Sequence, residues 1–308
     1  MDVKLFKQSS EAREWLFDML GKTKEILFRL NGEKSGNNML KTGRTSLKRM
    51  KYYFIIWFKM TKNAFLVTLS QKKLFFMFLF GKVVRFGFFL SFLYFLVSGS
   101  QNLAGYNVKQ TIFFFLTFNV VDVVSQFLYR EVYRFRPLLI SGDFDLVLTK
   151  PMNSLFRVLM GGADIIDLFT IPPLMVAVYY IGYALNPSAV EVIYYILLLI
   201  NGLFIATAFH IAVISMGIIT LEIDHSIIIY RDVTNLGRFP MDIYKQPLKG
   251  FLTYLVPVSI MITLPAKALM GFISPIGVIS SFFIGTIALF LSIRFWNFAL
   301  KRYTSASS

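Results

Sequence analysis

Apolar residues in this chain gather in long uninterrupted runs, without the strict alternation of half-buried strands or the narrow stripes of soluble helices. A helix crossing a bilayer needs about 20 mostly apolar residues, because a rise of about 1.5 Å each must cover a hydrocarbon core of about 30 Å. Six stretches meet this requirement: 78–98, 111–128, 163–185, 191–220, 251–270 and 276–297. Two are irregular. The third contains Pro172-Pro173, which should kink it, and the fifth contains Pro257 and Pro265. From 251 to 264 the fifth stretch supplies only about 21 Å, so a break is expected at Pro265, with 266–271 as a short helix in the outer leaflet.

Before the first run, residues 48–68 are amphipathic. Lys48, Lys51, Lys59 and Lys62 share one arc at helical spacing, with Tyr53, Phe54, Trp57, Met60 and Ala64 opposite. That pattern suits a helix lying on a membrane surface. The predicted fold is an all-α membrane protein. Six transmembrane helices follow an amphipathic helix on the cytoplasmic surface, and the fifth is broken near the outer leaflet. Its parts are a polar cytoplasmic extension over 1–47 with a helix near 11–30, an interfacial helix over 48–73, and a six-span domain over 74–308.

The connectors orient the bundle. Arg130, Arg134, Arg136, Lys150 and Arg157 lie in 129–160; Arg231, Arg238, Lys245 and Lys249 in 221–249; Arg294, Lys301 and Arg302 at the end. The opposite connectors hold Lys109 and Lys267. Twelve against two places both termini and the long connectors in the cytoplasm. Lys82 and Arg85 should snorkel to that interface.

Composition agrees: 56% of the 308 residues are hydrophobic and 16% charged, against roughly 25% charged in soluble domains. The net charge of +15 would suggest nucleic acid on a soluble protein. Here it sits between apolar runs, and no nucleic-acid partner is expected. Cysteine is absent and only His210 and His225 are present, so no metal centre is expected.

Gly21-Lys22-Thr23 is preceded by Leu16 where a phosphate-binding loop needs glycine, so ATP chemistry does not belong to this chain. Asp164 and Asp167 share a helix face, as an intramembrane enzyme acting on lipid or prenyl substrates would require. The second repeat and flanking residues of such enzymes are missing. Asn119, Asp122, Ser125 and Gln126 form a polar stripe within the second span. Polar groups there either line a pathway or bond neighbouring helices. His210 has the same two readings, and with Asp122 it could carry protons in a stand-alone secondary transporter. In 142–153, Gly142 permits a turn, Asp143 could cap a helix of about two turns, and Pro151 would end it.

This connector, with Arg130-Glu131 ahead of it, resembles the coupling loop of type-2 ABC exporter permeases, closest to the bacterial ABC-2-like branch. Arg238-Phe239-Pro240, Ile243-Tyr244, Tyr254-Leu255-Val256-Pro257, Leu264-Pro265-Ala266 and the ending from Arg294-Phe295-Trp296 extend the resemblance over about 48–308. The resemblance implies a permease in the bacterial cell membrane. It is an exporter driven by a separate cytoplasmic ATPase that holds the ATP and Mg; the aromatic and Met-rich spans suit an amphipathic or hydrophobic substrate. No cofactor is implied on this chain. Membrane lipid and a second permease, identical or related, complete the partners. Glu131, Gly142, Asp143, Asp145, Lys150 and Pro151 are the implied coupling residues, with Arg238 and Pro240 as a second cytoplasmic contact. Asn119, Asp122, His210, Pro257 and Pro265 are the pathway or gating candidates.

Overall fold

A computed structural model describes residues 38–100 and 102–304, with side chains from residue 48. The extension predicted over 1–47 lies outside the described residues as far as residue 37, as do 305–308. The described chain is helical, without strands beyond an isolated bridge between Leu103 and Tyr106. In order it forms α1 (Asn38–Ser70), α2 (Lys72–Ser100), α3 (Val108–Tyr129), the short α4 (Phe135–Ile140), α5 (Phe144–Leu148) and α6 (Ser154–Leu159), then α7 (Ile165–Tyr183), α8 (Ala189–Thr220), α9 (Ile223–Asn235), α10 (Leu248–Leu255), α11 (Ser259–Leu269) and α12 (Pro275–Arg302). The chain divides after Ile55. Of the first unit the described residues are helical, and everything below concerns the second, Ile56–Ser308.

Five helices, α2, α3, α7, α8 and α12, are long and apolar enough to cross a membrane, and they coincide with five of the six predicted runs. Local chemistry sets their starts. Asn107 and Gln110 form a capping box on α3, Ser188 and Glu191 do so on α8, and Ser274 caps α12. α7 runs through Pro172-Pro173 as one helix. The most enclosed crossing helix is α3, with Phe113, Phe114, Leu116 and Val121 buried.

The bundle has two distinct ends. At one, the turns before α3 and α8 meet the turn before α12: Tyr106 packs on Phe272, and Gly271 abuts Glu191. At the other, the short helices α4–α6 join the end of α8, the start of α9 and the end of α12 in one apolar cluster. The first is called below the turn end and the second the arginine end.

Residues 248–269 depart from the predicted fifth span. They do not run from end to end. α10 and α11 meet at 77°, and both outer ends sit at the turn end. There Asp242 accepts hydrogen bonds from Tyr106 at 2.8 Å and Lys249 at 2.8 Å and pairs with Lys267 at 2.6 Å. Length explains the departure: legs of 8 and 11 residues reach about 12 and 16 Å, short of the ~30 Å core. The break is at Pro257, not at the expected Pro265. Pro257 withholds a backbone donor where the chain turns, whereas Pro265 lies inside α11, directly after the wide π-type turn at Ser259–Thr263, and the helix continues through it. A π-type turn occupies each leg, Phe251–Leu255 and Ser259–Thr263. Val258, Ile260, Met261 and Ile262 are buried, so the irregular backbone is shielded by protein.

The remaining end-to-end passage is made by 223–242, which was predicted to be a connector. Asp224, at its start, pairs with Arg136 at the arginine end at 2.9 Å, and Asp242 finishes it at the turn end. Thirteen helical residues supply about 20 Å and the turns at 236–243 the rest.

Candidate functional site

Five-residue α5 is too short to hold itself as a helix and is fixed by its side chains. Gly142 sits at φ +78°, a left-handed conformation open to glycine, and turns the chain into it. Phe144 is fully buried against Phe135 and Tyr303, with ring centroids 5.1 Å from each, and against Trp296 at 6.4 Å. Val147 is its second root. The opposite face shows Asp143, Leu146 and Leu148 to the outside, Leu146 at 60% exposure. The expected Asp143 cap does not form: its carboxylate accepts from the Ser141 hydroxyl at 2.8 Å instead, and the helix is one short turn rather than two. Pro151 is exposed after it. Burial first, and then nearby Arg157, lower the Lys150 pKa from its ordinary value.

Glu131 is buried beneath this surface and holds Arg157 of α6 at 2.7 Å. Gly161 makes room for the pair, since a Cβ there would collide with the Arg157 guanidinium. Glu131 is therefore an internal strut, not a contact surface. Arg238 and Pro240, expected to form a second cytoplasmic contact, sit elsewhere in the bundle. Arg238 lies over the rings of Phe89 and Phe118, at 5.5 and 5.6 Å, midway along α2 and α3, and Pro240 is buried. Both belong to the passage of 223–242 through the bundle.

Between α2, α3 and α7 lies a cavity of about 380 Å³. Its walls are apolar and largely aromatic, and Lys82, Arg85, Asn119 and Arg238 bring the polar groups. Toward the arginine end it shares Lys82 and Arg85 with a polar vestibule of about 450 Å³ that adds Gln126, Arg130, Arg134, Arg231, Asp164 and Asp167. Both aspartates are engaged. Asp164 caps α7 and pairs with Arg130 at 3.2 Å, and Asp167 pairs with Lys82. No cluster of three metal-binding side chains occurs among the described residues. The enzyme reading thus loses its two carboxylates to ion pairs.

The pathway candidates separate. Asn119 faces the cavity while its amide donates to the Phe115 carbonyl at 2.7 Å. Asp122 is half-buried on the same helix, and its carbonyl accepts from Ser125. His210 is buried among Tyr129, Tyr133 and Tyr230, with Nδ1 2.7 Å from the Ala206 carbonyl. That places it in the aromatic packing of α8, away from the cavity lining. Pro257 forms the hairpin tip and Pro265 is buried in its second leg.

The sequence reading missed the Asp242 node. Burial disfavours the Asp242 carboxylate, but hydrogen bonds from Lys249, Lys267 and Tyr106 outweigh it and hold the pKa at about 2. Its stabilising contribution is complete above the ordinary carboxylate range and is lost only as pH falls toward 2. The clamp joining the α2–α3 turn to both feet of the hairpin is therefore set throughout the physiological range. A lone Asp among loop residues gave no sign of it.

A family model described as "ABC-2 family transporter protein" matches residues 83–307. No curated protein and no solved structure matches the chain.

Proposed function

The chain belongs to the ABC-2 transporter family, and from that membership we propose that it is the membrane-spanning permease of an ATP-driven exporter, worked by a separate cytoplasmic ATPase. The observation that carries this reading is α5, a short helix rooted by Phe144 with an apolar and acidic outer face. A push there passes through rigid packing. α5 shares its cluster with Ile223 and Ile227 at the start of α9, and Gly237, further along that passage, abuts Val258 and Ile262 of the hairpin. Movement at the arginine end thus reaches the hairpin, whose feet stand at the turn end. ATP and Mg are held by the partner, and a second permease, identical or related, completes the pathway.

The arginine end faces the cytoplasm of a bacterial cell in this reading, with both termini inside. Moving Lys245 and Lys249 to the turn end and Arg238 into the interior leaves nine basic residues against four, so the charge bias keeps its direction. Asp143, Asp145, Lys150 and Pro151 form the contact surface, Gly142 sets its angle, and Glu131 braces it from below.

Asp143→Arg with Asp145→Arg reverses the charge of that surface; it removes the bond between Asp145 and the Tyr303 hydroxyl but leaves the buried roots Phe144 and Val147 in place. The double variant is expected to insert normally, while capture of the ATPase subunit and permease-dependent ATP hydrolysis fall at least tenfold, a loss of about 1.4 kcal/mol or more. Purification from native membranes followed by an ATPase assay measures both. A double variant that keeps its ATPase and its coupled activity overturns the proposal.

A further inference from the structure

Among the described residues, the guanidinium of Arg238 is a cation placed in apolar surroundings. It lies midway through the bundle, and its Nε is buried without a hydrogen-bond partner. Among the described residues no carboxylate comes within ion-pair distance of it; Asp122 acts on it only across space, as do the like charges of Arg85 and Arg231. An unpaired cation at this depth is costly, and such groups face bundle interiors or water-filled paths. What its surroundings do supply is aromatic. It sits over the faces of Phe89 and Phe118, contacts that engage the flat of the guanidinium and leave its in-plane N–H donors available. Those donors form the planar fork that matches a phosphate or carboxylate.

The cavity beside Arg238 fixes the rest of the ligand. Phe86, Phe89 and Phe115 form an apolar wall, with Phe89 and Phe115 stacked at 4.5 Å, and the volume of about 380 Å³ lies in the small-ligand range of roughly 300–1,000 Å³. Arg85 stands at the junction with the vestibule, exposed and without an ion pair among the described residues. Together with Arg130, Arg134 and Arg231 it makes the approach from the arginine end positive, which concentrates anions at the mouth. We propose that this cavity binds an anionic amphiphile, its phosphate or carboxylate head on Arg238 and Arg85 and its hydrocarbon chain against the phenylalanine wall. Binding stands on this geometry alone; the further step, that such a molecule is cargo, rests on the permease reading.

The test uses the full chain purified in neutral detergent, with dodecyl phosphate as probe and dodecanol and inorganic phosphate as comparisons. Dodecyl phosphate is expected to bind at least tenfold tighter than dodecanol, and millimolar inorganic phosphate not to displace it. Arg238→Gln is expected to remove the preference for the charged probe while leaving dodecanol binding unchanged. Arg85→Gln, at an exposed position that carries no folding risk, is expected to weaken dodecyl phosphate severalfold. Equal affinity for the two dodecyl probes, displacement by inorganic phosphate, or an undiminished preference in both variants overturns the proposal. With the ATPase subunit added, stimulation by dodecyl phosphate marks the site as a cargo site, and binding without stimulation marks a resident bilayer lipid. Failure of the ATPase to associate while binding persists counts against the permease reading alone.

Discussion

Phe144→Ala is expected to uncouple the permease from its ATPase while leaving the protein in the membrane. The ring is the main root of α5, fully buried between Phe135, Tyr303 and Trp296. Truncating a buried phenylalanine costs about 3–5 kcal/mol. A five-residue helix has almost no stability of its own to set against that loss, so the damage falls locally on 142–151 and spares the crossing helices. Two measurements check it. Limited proteolysis should cut the variant within this segment much faster than the wild type, and permease-dependent ATP hydrolysis should fall by at least tenfold. Phe144→Leu keeps most of the apolar root and should retain most of the coupling. Full coupling in the alanine variant would mean that α5 is not the lever.

Gly202→Ala is expected to unseat the hairpin. Gly202 lies on α8 where the backbone of α11 passes closest, and an added Cβ would stand 2.5 Å from the Met261 carbonyl oxygen. A backbone carbonyl has no rotamer with which to retreat, so α8 and α11 must separate. Overpacking of this kind costs about 1–3 kcal/mol, which for a chain of this size lowers Tm in detergent by roughly 5 °C. Gly81→Ala is the matched control, because a Cβ there meets nothing within 4 Å, and its Tm should not move. An unchanged Tm in Gly202→Ala would show that the hairpin does not pack on α8 as described.

Which features were legible in the sequence follows from how each is built. Five crossing helices were readable because a segment that crosses the bilayer is apolar over most of its length, whether it faces lipid or neighbouring helices. α2, exposing Phe76, Phe80, Phe88 and Phe95, is the plainest case. The passage over 223–242 escaped because its apolar residues are diluted by charged ones, although Ile228 and Ile229 are exposed as on a crossing helix. Ile223, Ile227, Thr234 and Gly237 are its buried positions, and Asp224, Arg231 and Arg238 suppress any signal based on average hydropathy. The hairpin was mistaken for a span because its residues are as apolar as a crossing helix. Only its folding back at Pro257, with both feet tied to Asp242, distinguishes it, and that tie joins residues far apart in sequence. Gly142 and the α5 turn were readable from local turn chemistry, whereas the depth of Phe144 depends on Trp296 and Tyr303, about 150 residues further on. Asn119 was placed on a polar stripe by helical spacing, but the cavity it faces also needs Arg238 from another passage.

The arrangement of α9 and the hairpin is open to direct labelling, since the chain has no cysteine of its own. Single replacements Ser188→Cys, Lys245→Cys and Leu146→Cys, exposed to a membrane-impermeant maleimide in intact cells and in inverted vesicles, report which side each occupies. Ser188→Cys and Lys245→Cys should react together from outside, and Leu146→Cys only from the cytoplasmic side. Reaction of Lys245→Cys from the same side as Leu146→Cys would contradict the passage of 223–242 through the bundle, and with it the link from the ATPase surface to the hairpin.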